Sequence, residues 1–280
     1  MKIRTLIKEI LLKTSPAFRI AYQNQVQLAN VQAQLELMNS LLQQQLEKDR
    51  INDACLLLIR NIQDDVSRLQ SNKYYSQVYR QFETGYWLSL ARHIYNQRGN
   101  KNVKNVLDIG CAYGTLAAFI KRLFDADVYC VDFTPNYMSE KVIKEFDLHW
   151  AINNPEIEPL PWELQFDIIL LTEVLEHFNF HPLPTLKKIC GLLSRWGMLY
   201  LSTPNAKSWG RVTKYYCSLE KIPPSWKSMM VNNSPELVDD HIYVYEEVEL
   251  LELIDSAGLY VLENFTNEKH LQFVLKKKCD

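Results

Sequence analysis

The most informative part of the sequence is residues 103–114, which read VKNVLDIGCAYG. The stretch from Val103 to Ile109, with Val106, Leu107 and Ile109 close together, predicts a short buried strand. Gly110 and Gly114 predict a tight turn after it, and Thr115 to Leu123 has the pattern of a helix. Because glycine has no Cβ, the backbone of such a turn can approach a ligand closely. The stretch therefore predicts a strand, a ligand-binding turn and a helix in succession.

Strands and helices continue to alternate after this unit. We predict strands at Asp127–Val131, Asp167–Leu171 and Met198–Ser202, with helices at Asn136–Phe146 and Leu183–Leu193. Strands separated by helical segments of this length form right-handed crossovers in a parallel sheet with helices on both faces. The predicted fold class is therefore α/β, with a doubly wound, mostly parallel sheet.

Acidic residues stand where such a sheet binds its ligand, at the carboxyl ends of the strands. Asp132 ends the second strand, VYCVD, at the distance from the glycine turn at which a carboxylate accepts the hydroxyls of a ribose. The third glycine of a dinucleotide fingerprint is absent, since position 112 is Ala, and no P-loop lysine follows the turn. These features indicate a nucleoside cofactor that carries no pyrophosphate.

The combination resembles the S-adenosylmethionine site of class I methyltransferases. From Asn102 to Leu275 the chain is similar to a subgroup of small-molecule and glycan methyltransferases that includes ubiquinone-biosynthesis O-methyltransferases. The similarity is carried by residues 153–178 (NNPEIEPLPWELQFDIILLTEVLEHF), 192–205 (LLSRWGMLYLSTPN) and 239–261 (DDHIYVYEEVELLELIDSAGLYV). The resemblance implies a seven-stranded Rossmann-like sheet and S-adenosylmethionine as the cofactor.

The resemblance also assigns the residues that would bind this cofactor. An acidic residue in the turn suits the cationic sulfonium and the amino-acid tail, and a polar residue after the third strand would lie near the adenine. The positions that match are Asp108, Gly110, Cys111, Ala112, Gly114, Asp132, Phe133 and Asn154. The chain departs from the usual Cys-Gly-x-Gly at Ala112, which narrows the freedom of the backbone.

The segment Glu173-Val-Leu-Glu176-His177 follows the predicted strand Asp167–Leu171 and is the candidate catalytic segment. His177, with Glu173, is the candidate base for an acceptor hydroxyl. With the distant His241, the segment also resembles the metal site of small-RNA 3′-terminal methyltransferases, in which Glu173, Glu176, His177 and His241 would bind Mg²⁺ or Mn²⁺. In the alternative interpretation, both glutamates cap and pair at a helix start and His241 has a structural role.

Residues 1–70 have the character of a helical extension. Leu28, Val31, Leu35, Met38 and Leu42 form an a/d seam, which loses phase around residues 45–49 and resumes in a shifted register from Cys55. This apolar stripe could fold back on the catalytic domain, self-associate, or bind a partner protein, and the sequence leaves these alternatives open. The predicted domains are residues 1–70, a helix and coiled coil, and residues 71–280, the methyltransferase domain.

The first residues form an amphipathic helix with a basic flank, through Ile3, Leu6, Ile7, Ile10 and Leu11. It would dock on protein or touch a membrane peripherally. We expect neither a signal peptide nor a spanning helix, since charges interrupt the apolar run, and we expect a cytoplasmic protein.

Residues 204–240 are too long for a simple crossover and are expected to form a lid over the acceptor pocket. The lid carries aromatic and basic side chains that suit a sugar or an anionic acceptor. They are Trp209, Arg211, Lys214, Tyr215, Tyr216, Lys221, Trp226, Lys227, Met229 and Met230. The alternative is an irregular surface excursion whose aromatic residues pack against one another.

The composition limits the classes of partner. The 31 basic and 33 acidic residues give a net charge of −2, so the chain lacks the excess of positive charge that binds DNA, and an RNA partner is also disfavoured. The six cysteines show no zinc-binding spacing. The sequence thus predicts O-methylation of a small molecule, a glycan precursor or a lipid-linked intermediate. The alternatives are a metal-dependent RNA terminal methyltransferase and a non-catalytic scaffold subunit.

Overall fold

A computed structural model describes residues 12–71, 73–210, 215–225, 230–231, 234–235 and 237–278. The amphipathic pattern between Ile3 and Leu11 lies outside these residues, as do five of the lid residues named above, Arg211, Lys214, Trp226, Lys227 and Met229. No helix among the described residues combines the length and the apolarity needed to cross a bilayer.

The chain forms two compact units, Met1–Ala54 and Cys55–Asp280. Helix α1 is continuous from Pro16 to Leu69 and belongs to both units. The C-terminal part of α1 carries residues of the core of the second unit, and the domain boundary expected at residue 70 stays a prediction. These residues are Cys55, Ile59, Ile62 and Val66, all fully buried.

A seven-stranded sheet organises the second unit, in the order β3-β2-β1-β4-β5-β9-β8. Its strands are β1 (Asn105–Ile109), β2 (Asp127–Asp132), β3 (Leu148–Ile152), β4 (Phe166–Thr172), β5 (Leu193–Pro204), β8 (Leu259–Asn264) and β9 (His270–Lys277). The first five strands pair in parallel, and β9 runs antiparallel to both β5 and β8. A further pair, β6 (Met230–Val231) and β7 (Ser234–Pro235), stands apart from this sheet. The predicted mostly parallel, seven-stranded sheet is confirmed.

The helices cover both faces of the sheet. They are α2 (Arg80–Asn96), α3 (Thr115–Leu123), α4 (Glu140–Phe146), α5 (Pro182–Leu192), α6 (Ala206–Trp209) and α7 (Glu247–Ser256), with a π-helical turn at Tyr75–Tyr79 and 3₁₀ turns at Leu175–His177 and Leu219–Lys221. The end of α1 packs with α2, α3 and α4 over one face. Helices α5 and α7 pack over the other. Side chains of β1 alternate between the two cores, Val106 in the first and Leu107 in the second, as a buried parallel strand requires.

Most predicted elements lie close to their expected positions, and α3 has the bounds that the sequence indicated. Helix α4 begins at Glu140 rather than at Asn136, because Ser139 caps it: the Ser139 Oγ accepts a hydrogen bond from the Lys141 N–H at 3.2 Å. Of the residues released from the helix, Tyr137 lines the cavity at the end of β2, together with Phe133, which directly follows that strand.

A buried hydrogen-bond network joins the end of α1 to α2 and α3. The Gln63 amide and the Tyr75 hydroxyl both donate to Glu83 Oε1, at 2.7 and 2.6 Å, and the hydroxyls of Tyr75 and Thr115 lie 2.9 Å apart. Thr115 is the first residue of α3, directly after the glycine turn. Burial raises the pKa of Glu83 to about 7. The network thus holds a carboxyl group that keeps its proton more tightly than an exposed one does.

The network predicts a pH dependence of stability that Glu83→Gln removes. The pKa of Glu83 rises from 4.5 to about 7 on folding, so its contribution to stability is complete below pH 4.5 and is lost as the pH rises through 7. The free energy of unfolding of Glu83→Gln relative to wild type should therefore increase by about 3 kcal/mol across this window. Urea unfolding of both proteins at several pH values measures it. A difference that does not vary with pH would contradict the account.

Candidate cofactor and acceptor site

A cavity of about 360 Å³ lies at the carboxyl ends of β1, β2 and β4, where ligands bind in parallel α/β sheets. Its walls come from the glycine turn, from the loops after β2, β3 and β4, and from the last part of the expected lid. The lining includes Gly110, Ala112, Asp132, Phe133, Asn153, Asn154, Glu173, His177, and residues 237–239. Most of the sequence-predicted residues therefore surround one cavity.

The turn after β1 uses left-handed backbone at three positions, with φ of 70° at Gly110, 44° at Ala112 and 78° at Gly114. A Cβ at Gly110 would overlap the Val174 side chain, and one at Gly114 would lie 2.9 Å from Met138 Cε. Both positions therefore favour glycine for their left-handed backbone, and Gly110 is also needed for space beside Val174. Their backbone forms a cradle at the edge of the cavity.

Ala112 holds a conformation that costs a residue with a Cβ about 1 kcal/mol. The Ala112 N–H donates to Asp132 Oδ2 at 3.0 Å, and the Gly110 N–H donates to the Val131 carbonyl at 2.8 Å. The end of β2 thus fixes the turn after β1. Ala112, at which the sequence departs from the family pattern, therefore fits the turn at the cost of backbone strain.

Asp132 is nearly buried and accepts two backbone hydrogen bonds, from Ala112 and from the Thr134 N–H to Oδ1 at 3.1 Å. Burial raises its pKa, and the hydrogen bonds oppose this rise. Each carboxylate oxygen keeps a free lone pair, since an oxygen of this kind accepts more than one hydrogen bond. The group can therefore accept hydroxyl donors from the cavity.

Asp108 lies in a small recess beside the cavity, lined also by Gly110, Cys111 and Thr115. It is 2% exposed, and its Oδ2 has no hydrogen-bond partner among the described residues. Burial, and then the negative charge of Asp132, raise its pKa to about 8. A buried carboxyl oxygen without a partner is costly, so the recess favours a cationic donor.

The loop after β3 contributes two asparagines to the cavity, of which the sequence singled out only Asn154. The Asn154 Oδ1 accepts from the Glu156 N–H at 2.9 Å, within its own turn. Asn153 Oδ1 is buried with no hydrogen-bond partner in the part of the chain that the structure describes, while the Asn153 amide donates to the Pro159 carbonyl at 2.8 Å. Asn153 is thus a further polar group at the cavity. Sequence reasoning missed it because adjacent asparagines at a strand end look alike.

Glu173 follows β4 with a left-handed backbone, φ 54°. The Ser202 hydroxyl donates to its Oε1 at 2.8 Å, and its Oε2 lies 3.2 Å from the Nδ1 of His270. His270 is buried at the start of β9, whereas Glu173 lines the cavity. The sequence gave no signal for His270, because it is far from Glu173 in the chain and reaches it only through the antiparallel pairing of β9 with β5.

Glu176, His177 and His241 form a separate cluster, in which one ligand atom from each lies within 4.8 Å of the others. Glu176 Oε2 accepts from the Thr203 hydroxyl at 2.9 Å, and the rings of His177 and His241 stand perpendicular at 4.8 Å. Burial lowers the pKa of His177. The structure thus brings together three of the four expected metal ligands and pairs the fourth, Glu173, with His270. In the alternative interpretation both glutamates cap a helix start, whereas the turn at Leu175–His177 follows Val174 and has no side-chain cap.

The described part of the expected lid contributes a wall of the cavity through Leu237, Val238 and Asp239. The Tyr215 hydroxyl donates to Asp240 Oδ2 at 3.0 Å, and Ile222 is buried in the second core. Trp209 is half exposed, with its ring 6.5 Å from that of His241 and 6.2 Å from that of His270. This segment packs against the domain at several points.

The strand order, the reversed β9, the glycine turn and the acidic residue at the end of β2 together define the cofactor-binding architecture of class I methyltransferases. A family model described as a methyltransferase domain matches residues 80–264, more than half of the chain. The chain belongs to this methyltransferase family, and the resemblance noted in the sequence is confirmed.

Among curated proteins, the mitochondrial ubiquinone biosynthesis O-methyltransferase of Candida albicans is 33% identical over 114 residues. The match spans 38% of this chain and only 34% of the length of that relative. Among solved structures, an S-adenosylmethionine-dependent methyltransferase from Clostridium acetobutylicum is 12% identical with a TM-score of 0.51, over 74% of this chain and 96% of that one. The PH0226 protein of Pyrococcus horikoshii is 16% identical with a TM-score of 0.50, over 75% and 93%. These structures share the fold.

The strain at Ala112 predicts that Ala112→Gly stabilises the protein. Glycine adopts the left-handed region without the Cβ penalty, so the free energy of unfolding should rise by about 0.5–1 kcal/mol. The control, Ala117→Gly, is buried within α3 and should destabilise by about 1 kcal/mol or more, because glycine weakens a helix and a buried methyl group is lost. Thermal unfolding of the three proteins measures both effects. A destabilised Ala112→Gly would contradict the assignment of strain.

Proposed function

We propose that this chain transfers a methyl group from S-adenosylmethionine to an oxygen atom of a small-molecule, sugar or lipid-linked acceptor. The observation that carries the proposal is that Glu173 lines the cavity beside the glycine turn. The Ser202 hydroxyl donates to its Oε1, and His270 Nδ1 lies 3.2 Å from its Oε2. Family membership supports the transfer of a methyl group. The named activity of the Candida albicans relative favours oxygen as the acceptor atom.

The residues at the cavity fit a nucleoside cofactor with an amino-acid tail. Asp108 Oδ2 and Asn153 Oδ1 are buried without hydrogen-bond partners among the described residues, and Gly110 lines the cavity with backbone alone. We assign Asp108 to the ammonium of the tail, Asp132 to the ribose hydroxyls, and Asn153 with Asn154 to the base. The bound cofactor supplies a methyl group that its sulfonium makes electrophilic.

We assign Glu173 as the group that accepts the proton of the acceptor hydroxyl. Its Oε1 accepts from the Ser202 hydroxyl, its Oε2 lies 3.2 Å from His270 Nδ1, and the residue lines the cavity. A base positioned in this way contributes roughly 10²–10⁴-fold to a rate. His177, the other candidate from the sequence, also lines the cavity and is the alternative base.

The proposal predicts that Glu173→Gln strongly slows methyl transfer and keeps cofactor affinity. Wild type should transfer label from methyl-labelled S-adenosylmethionine to members of a panel of catechols, sugar nucleotides and polyprenyl-linked phenols. Glu173→Gln should reduce the rate at least about 100-fold, with an unchanged Kd for S-adenosylhomocysteine. Glu163→Gln, an exposed residue outside the cavity, is the matched control. If His177→Gln caused the larger loss instead, the proton would go to His177.

A second candidate is metal-dependent transfer, including transfer to an RNA terminus, and the cluster of Glu176, His177 and His241 favours it. Carboxylate and imidazole ligands suit Mn²⁺, and Mg²⁺ accepts the carboxylate. Activity that vanishes in excess chelator and returns with Mn²⁺ would support this candidate. Unchanged turnover in chelator would eliminate it. The near-neutral charge of the chain argues against an RNA substrate.

A further inference from the structure

The N-terminal unit exposes the apolar seam of α1. Leu28, Val31, Leu35, Met38 and Leu42 are each 50–65% exposed. They recur at alternating steps of three and four residues, so they lie on one side of the helix, at the a and d positions of successive heptads. A helix of 54 residues with such a row in water is not stable through its own propensity. The row therefore requires a covering surface.

The charge pattern indicates that a second copy of the chain provides this surface. Between Ile20 and Leu46 the only charged residue is Glu36, which falls at position b, away from the seam. The positions that flank the seam are uncharged: Gln25, Gln27, Gln32, Gln34, Asn39, Leu41 and Leu46. Two identical helices can therefore meet along the seam without like-charge repulsion, and the pattern offers no charge that would select a different partner.

The apolar area is of the size that a dimer needs. Including Leu41 and Leu46, which are also more than half exposed, the seam and its flanks present seven large apolar side chains. Burial of one such side chain removes roughly 60–120 Å² from water, so the row amounts to about 400–800 Å² per chain. Stable interfaces bury about 800 Å² on each partner.

The end of the seam also has a physical cause. Continuing the heptads places Gln45 at d and Asp49 at a, where two copies would bring carboxylates together. After this shift the apolar seam of α1 is buried within the second unit at Cys55, Ile59, Ile62 and Val66. The change of register thus separates a stripe that the chain covers itself from a stripe that it leaves exposed.

We propose that residues 28–42 of α1 pair with the same residues of a second copy, forming a homodimeric coiled coil. The pairing is independent of the methyl-transfer chemistry, since none of these residues lines the cavity.

Analytical ultracentrifugation of the full-length chain tests this inference. Wild type should sediment with about twice the chain mass of 32.9 kDa. Leu35→Glu/Leu42→Glu should sediment as a single chain, because charges at a positions oppose pairing. The matched control, Ala33→Glu/Ser40→Glu, adds the same charges at f positions on the far side of the helix and should keep the wild-type mass.

The inference would be overturned by a monomeric wild type or by a Leu35→Glu/Leu42→Glu variant that keeps the wild-type mass. Near-ultraviolet circular dichroism reports the packing of aromatic residues in the second unit and should be the same in all three proteins. This keeps a loss of pairing separate from a loss of folding.

Discussion

The hydrogen bond from the Ala112 N–H to the Asp132 carboxylate is the contact on which the rest of the site depends. It joins the turn after β1 to the end of β2, and it holds Ala112 in a conformation that a residue with a Cβ otherwise avoids. The parallel pairing of β1 with β2 places the two groups side by side. The pairing of β1 with β2 therefore positions the glycine turn, Asp132 and the neighbouring Asp108 together.

The helices before the sheet contribute to the same region. The Tyr75 hydroxyl donates a hydrogen bond to Glu83 and lies within hydrogen-bond distance of the Thr115 hydroxyl, at the start of α3. Gln63 connects the end of α1 to this network. The aromatic side chain of Tyr79, at the end of the π-helical turn, lines both the cavity and the recess of Asp108. Such turns are frequent at functional sites. The segment from Cys55 to Asn96 thus helps to build the site as well as to cover the sheet.

Local signals in the sequence predicted the sheet, α3 and the glycine turn, because apolar runs and glycine spacing act over a few residues. They did not distinguish Asn153 from Asn154, since that difference depends on which side chain closes its own turn. They also missed His270, because its approach to Glu173 is created by pairing between β5 and β9. The a/d pattern predicted helix α1, but only the packed structure shows that its stripe is buried from Cys55 onward and exposed before it.

The central claim is that this turn and Asp132 bind a nucleoside cofactor, and calorimetric titration of S-adenosylhomocysteine tests it most directly. The titration compares wild type with Asp132→Ala and with Asp127→Ala, which removes an exposed carboxylate from the other end of the same strand. The account predicts binding to wild type and to Asp127→Ala, and a loss of at least about 1–3 kcal/mol in Asp132→Ala, from unmet hydroxyl partners and from the lost contact with the Ala112 N–H. Absence of binding to wild type, or equal affinity in all three proteins, would contradict it.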